Sequence, residues 1–207
     1  MLPTRAALIV IDISRDSLNP SEESGIPLEG APQAIENARR VVNAARENGV
    51  PVVWIQELHR RSGIDFGREL DGAETVHCVE GAPGSRFLED FAPRDDEFYV
   101  PKRRYSAFFG TDFEILLKGL KVETLILIGF LTDVCVHYTG ADAHQHDYRV
   151  RVVREAVAGS SVAAHQASLN ALEYLQSGAI VSTDDIIAAM DNYEYSMKQN
   201  SLVGVFS

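Results

Sequence analysis

The sequence is poor in cysteine, with only Cys78 and Cys135 in 207 residues. The two stand far apart and form no CxxC or other metal-type pair. That excludes a disulfide framework and suits a reducing cytoplasm in which at least one thiol is free. Long apolar runs are also missing. The longest, 125–131, contains a glycine and falls well short of the roughly 20 residues a membrane-spanning helix needs. The run 6–11 follows the N-terminus without a charged leader or cleavage site, so neither a signal peptide nor a membrane is expected. Positive charge is scarce: 19 Lys and Arg stand against 30 Asp and Glu, for a net charge of -11. Recognition of nucleic acid or an anionic bilayer needs clustered basic residues, so both are excluded as partners. No GxGxxG follows the first apolar run, which removes a dinucleotide site of that type. Internal repeats and low-complexity tracts are absent.

What remains is an alternation of short apolar runs with longer amphipathic segments, within a length that suits one domain spanning 1–207. Runs at 7–11, 50–55, 98–100, 123–128, 149–153 and 179–182 read as strands. Segments at 33–47, 112–118, 133–146 and 164–175 read as helices, the first ending near Gly49 and the last closed by Gly178. Ser182 with Asp185 three residues on forms a capping box that opens a final short helix. The pattern predicts an α/β fold: a three-layer, Rossmann-like sandwich with a six-stranded, mostly parallel sheet flanked by helices on both faces. The stretch 59–86 lacks periodicity and is rich in glycine, as expected of a long ordered loop that carries function. The tail 191–207 has no assignable structure.

In an open α/β sheet, ligands bind beyond the carboxyl ends of the strands. Three reactive residues stand there: Asp12 after Ile9-Val10-Ile11, Lys102 after Tyr99-Val100-Pro101, and Cys135 just past the fourth strand. Each alone has a plain structural reading, as a turn residue, a solvated lysine or a small buried side chain. Together they make a nucleophile, a cation and a proton acceptor. With Thr132 or Asp133 as N-cap, Cys135 lies in the first turn of a helix, where the dipole and Lys102 are expected to lower the thiol pKa. Asp12 then accepts the thiol proton and returns it to a leaving amine.

Three segments carry a wider likeness: Leu8-Ile9-Val10-Ile11-Asp12, Val100-Pro101-Lys102-Arg103-Arg104-Tyr105-Ser106-Ala107-Phe108, and Gly129-Phe130-Leu131-Thr132-Asp133-Val134-Cys135-Val136. With these the chain resembles the isochorismatase-like cysteine hydrolases, a superfamily that includes nicotinamidases, N-carbamoylsarcosine amidases, ureidoacrylate amidases and biuret-type hydrolases. The resemblance implies a triad of Asp12, Lys102 and Cys135, an oxyanion hole from the amides of Leu131 and Cys135, and a cis peptide between Phe130 and Leu131. It implies a cysteine-dependent amidohydrolase that cleaves a terminal amide or ureido bond of a small molecule through a thioester and releases ammonia. Superfamily members that hydrolyse a vinyl ether lack the cysteine, so Cys135 favours amide chemistry. The alternatives are that ether hydrolysis, a metal-dependent nicotinamidase, and a non-catalytic binding protein.

The triad itself requires no cofactor. Nicotinamidases carry metal ligands in segments whose counterparts here are Glu57-Leu58-His59 and His77-Cys78-Val79-Glu80-Gly81, so the resemblance makes Glu57, His59 and His77 a ligand set for zinc or another divalent metal. Glu stands where those enzymes have Asp, and Arg60 where they have Pro. In the rival reading these residues bind a polar substrate or tie down the loop. Arg60 suits a substrate carboxylate or ureido oxygen, and Phe66, Phe108 and Tyr138 are expected pocket walls. The family's habit implies a homo-oligomer, a dimer or a tetramer.

Overall fold

The computed structural model describes residues 5–15, 30–72, 74–89, 91–191 and 193. Most of the tail 191–207 lies outside them. In chain order the elements are β1 (Ala6–Ile11), α1 (Ala31–Glu47), β2 (Val52–Glu57), a 3-10 turn (Glu69–Asp71), β3 (Phe98–Lys102), α2 (Phe113–Gly119), β4 (Thr124–Phe130), α3 (Cys135–Gln145), β5 (Arg149–Ala158), α4 (Val162–Leu175), β6 (Ile180–Val181) and α5 (Thr183–Met190). The strands form one sheet in the order β3-β2-β1-β4-β5-β6, with every pair parallel. The six-stranded α/β expectation is met.

The central strands are apolar at nearly every position because both faces are covered. Leu8, Val10, Trp54, Ile126 and Ile128 face α1 and α5. Ile9, Ile11, Ile55, Leu125 and Leu127 face α2, α3 and α4. The alternation follows from the two-residue period of a strand. Among the described residues no helix is long and apolar enough to cross a membrane.

Two boundaries differ from expectation. β5 continues to Ala158 instead of stopping near Val153, with a register irregularity opposite Leu127 and Gly129. Arg154 and Glu155 break the apolar run there and lie within that irregularity, between the pairs Leu127–Val152 and Gly129–Val157. β3 runs on to Lys102, so the lysine is held by the sheet itself. Ser182 caps α5 as expected, its Oγ accepting the Asp185 amide at 3.1 Å.

The strand order reverses direction between β1 and β4. In doubly wound sheets that switch point opens a crevice at the carboxyl ends of the strands. Asp12, the end of β3 and the start of α3 all lie at that edge.

Candidate active site

Gly129 sets the spacing at the switch point. It pairs with Ile11 across β1 and β4, and its φ of +114° is one that side-chain-bearing residues rarely adopt. A Cβ at this position would run into the Ile11 carbonyl oxygen, so only glycine lets the two strand ends approach so closely.

Asp12 follows directly, with a left-handed φ of 52°. Such a conformation costs on the order of 1–3 kcal/mol outside glycine. It is held from both sides: the Asp12 amide donates to the Ile55 carbonyl at 3.0 Å, and Asp12 Oδ1 accepts the Glu57 amide at 2.6 Å. Oδ2 lies 2.8 Å from Lys102 Nζ.

Lys102 is fully buried. Its ammonium also contacts Glu57 Oε2 at 2.6 Å and Cys135 Sγ at 3.3 Å. A buried charge costs several kcal/mol unless paired, and here two carboxylates surround it. Burial alone would lower the lysine, but Asp12, Cys135 and Glu57 hold its pKa well above the ordinary value. It stays cationic.

Cys135 is the first residue of α3, preceded by Val134 with no side-chain cap. Thr132 and Asp133, expected to cap the helix, do other work. Thr132 Oγ1 meets His165 Nδ1 at 2.9 Å and the Thr132 carbonyl accepts from Ser168 Oγ at 2.7 Å, while Asp133 accepts from the Ser160 amide and hydroxyl at 2.9 and 2.6 Å. The start of α4 therefore clasps the turn that leads into Cys135. Within that turn the Phe130–Leu131 peptide is cis. Val134 and Val136 both donate to the Leu131 carbonyl at 3.1 Å, and the amides of Leu131 and Cys135 have no acceptor among the described residues.

The electrostatics of the thiol overturn one expectation. Burial, with the Asp12 and Glu57 carboxylates, pushes the Cys135 thiol well above its ordinary value against the pull of Lys102. A helix N-terminus and one cation do not outweigh desolvation and two anions. A sulfur so placed rests as a thiol, and burial with the nearby Glu57 carboxylate raises the Asp12 carboxyl as well, despite Lys102.

A second cluster adjoins the first. Glu57 Oε1 lies 3.2 Å from His59 Nε2 and 3.0 Å from His77 Nε2, and Glu69 Oε2 lies 3.1 Å from the same His59 nitrogen. A bridge between His59 and Val79, with the His59 amide donating to the Cys78 carbonyl at 2.7 Å, folds the loop so that both imidazoles point inward. The four donor atoms lie within 4.8 Å of one another. Glu69 belongs to the 3-10 turn and escaped the sequence reading, because it sits in an aperiodic loop with no ligand spacing to mark it. Glu69 Oε1 and His59 Nδ1 are buried without a hydrogen-bond partner. Two imidazole nitrogens and two carboxylates are a donor set that fits a divalent ion such as zinc.

Burial would lower the His59 imidazole, yet Glu57 and Glu69 raise it to about 9, and Glu57 likewise raises His77. The folded value of His59 lies above the unfolded one near 6.5. Its stabilisation is therefore complete below about pH 6.5 and is lost as the pH rises through about 9. In chelator, equilibrium unfolding should show the native protein losing on the order of 2–3 kcal/mol more than His59→Gln across that window. Parallel curves would remove this assignment.

The expected substrate residues are placed unevenly. Phe66 stacks on His59 with ring centroids 4.0 Å apart and covers the second cluster. Tyr138, half exposed one turn beyond Cys135, stacks with Tyr105 at 5.8 Å, and the Tyr105 hydroxyl donates to Glu74 at 3.1 Å. Arg60 pairs with Asp65 at 2.8 Å. Phe108 stacks on His146 at 4.9 Å, about 16 Å along α3 from Cys135 at 1.5 Å per residue.

A family model described as "Isochorismatase domain" matches residues 6–185. Among curated proteins, a maleamate amidohydrolase of Pseudomonas putida is 33% identical over 171 residues, covering 80% of this chain and 78% of the relative. A protein of Arabidopsis thaliana described as a probable inactive nicotinamidase is 31% identical over 170 residues, covering 79% and 85%. The crystal structure of a cysteine hydrolase from Pseudomonas syringae pv. phaseolicola superposes with a TM-score of 0.82 at 25% identity, covering 92% of this chain and 94% of that one.

Proposed function

The chain belongs to the isochorismatase family, and on that premise we propose that it is a cysteine-dependent amidohydrolase cleaving the terminal C–N bond of a small amide or ureido compound. One observation carries the reading: the Lys102 ammonium touches both Asp12 Oδ2 and Cys135 Sγ at the switch point, where two amides lack acceptors. Asp12 takes the thiol proton as Sγ attacks the carbonyl carbon. The developing oxyanion receives the amides of Leu131 and Cys135, where one such donor is typically worth about 2.7–4 kcal/mol. Asp12 returns the proton to the departing nitrogen, ammonia leaves, and water attacks the thioester with Asp12 again as base. Lys102 keeps the charge of the site balanced throughout.

Vinyl ether hydrolysis on the same fold needs no cysteine, so an intact Cys135 beside Lys102 weighs against it. Phe66, stacked on His59, and Tyr138, one turn beyond Cys135, are proposed as substrate contacts. Glu57, His59, Glu69 and His77 would hold a divalent ion, which when bound would supply a Lewis acid for a polar substrate atom. Elemental analysis of protein purified without an affinity tag is expected to find about one equivalent of such a metal, lost in His77→Ala. Less than about a tenth of an equivalent in the native protein would remove the metal proposal.

The amidase proposal is tested by ammonia release from a panel of nicotinamide, maleamate, an N-carbamoyl amino acid and biuret, run beside Cys135→Ala. The proposal fails if no member is hydrolysed faster by the native protein than by that variant.

A further inference from the structure

Glu57 stands between the two clusters and touches both. It is the last residue of β2 and pairs in register with Lys102, the last residue of β3. Neighbouring residues in register on adjacent strands point to the same side of a sheet, so the pairing itself brings carboxylate to ammonium. One oxygen, Oε2, accepts from Lys102 Nζ at 2.6 Å and lies 3.5 Å from Cys135 Sγ. The other, Oε1, faces the imidazoles of His59 and His77 at 3.2 and 3.0 Å. The side chain is almost completely buried.

The charges explain why such a residue is needed. Lys102 has two carboxylate partners at rest, Asp12 and Glu57. In the proposed reaction Asp12 becomes neutral when it takes the thiol proton and anionic again when it releases it. Cys135 passes from thiol through attacking sulfur to thioester. Glu57 transfers no proton and forms no bond to carbon, so it is the counter-ion that persists while the other two neighbours change charge. An ammonium left without one in this buried place would be costly or would shift away from the sulfur.

We propose that Glu57 is a positioning residue of the catalytic centre, whose two oxygens fix the Lys102 ammonium against Cys135 and join it to the imidazoles of the loop. The inference rests on the amidohydrolase reading for its kinetic consequence, though its structural content does not. Asp at this position keeps the charge but lacks one methylene, about 1.5 Å of reach, and cannot serve both sides at once. The glutamate that departs from the nicotinamidase pattern thereby acquires a reason.

The test compares native protein, Glu57→Gln and Glu57→Asp, each untreated and dialysed against chelator. With the best substrate of the panel, both variants are expected to lose at least about 30-fold in kcat while KM stays within about threefold, because Glu57 orients the ammonium without holding substrate. A fall confined to KM, or a kcat within about threefold of native, would overturn the proposal. Carboxamidomethylation of Cys135, followed on its own peptide near pH 7.5, gives a reading independent of turnover. In Glu57→Gln the Lys102 ammonium is no longer fixed against the sulfur, so the thiolate is less favoured and Cys135 should react at least about fivefold more slowly. An unchanged or faster rate, or a difference that vanishes in chelated protein, also overturns it. If the native protein hydrolyses nothing on the panel, the amidase reading fails and the alkylation comparison alone decides for or against Glu57. If Glu57→Gln does not fold, Glu57→Asp decides by its kcat, or without a substrate by its alkylation rate against native.

Discussion

Cys135→Ala should lower kcat/KM by at least about 10⁴-fold, and Asp12→Asn should follow it to within about a factor of ten. The second half of this expectation comes from the site's electrostatics. A thiol held well above its ordinary pKa presents almost no thiolate at neutral pH, so the sulfur without its base is nearly as inert as no sulfur at all. Asn preserves the size of the side chain and can accept from Lys102, but it cannot take a proton. The two variants should also fail to add when combined, since they act on one step. Steady-state kinetics on the best substrate, with native-like thermal unfolding of both variants, checks the result. Retention of more than about a tenth of native kcat/KM by Asp12→Asn would mean that the thiol ionises without help and that another group governs it.

Gly129→Ala should destabilise the protein by about 4 kcal/mol or more, a large part of the roughly 5–15 kcal/mol that holds a domain of ordinary stability. The added methyl would have to occupy the Ile11 carbonyl oxygen, which belongs to the backbone of the neighbouring central strand and cannot rotate away. The φ of +114° adds strain of its own. Relief requires β1 and β4 to separate where they position Asp12 and the turn leading to Cys135. Any folded fraction should therefore be inactive. Gly49→Ala makes the comparison, since its φ is also positive but nothing lies near the added carbon; it should cost only about 1 kcal/mol. Urea unfolding of the two variants, with equal losses, would refute the steric account.

The likeness to a relative described as inactive gives these experiments added weight. Here Lys102 touches both Asp12 and Cys135, and the proposed activity turns on how these three are held.

By itself the sequence determined the strands, the helices and the three reactive residues. A strand buried on both faces must be a continuous apolar run, so Asp12 is conspicuous as the first residue beyond β1, Cys135 as the thiol close behind β4, and Lys102 as the reactive residue ending β3. The capping box at Ser182 was legible for a similar reason, because its hydrogen bond spans three residues of one chain segment. Only the tertiary structure decided the rest. Glu69 joins the second cluster through an aperiodic loop, Phe108 lies at the far end of α3, and Thr132 and Asp133 reach α4 instead of capping α3. Each outcome depends on partners distant in the chain, where local periodicity carries no information. The thiol pKa shows the difference most plainly. Neighbours in sequence argue for a lowered value, but desolvation and two carboxylates brought together by strand register reverse the sign, because in a buried site the cost of leaving water is larger than the gain from one helix end and one shared cation.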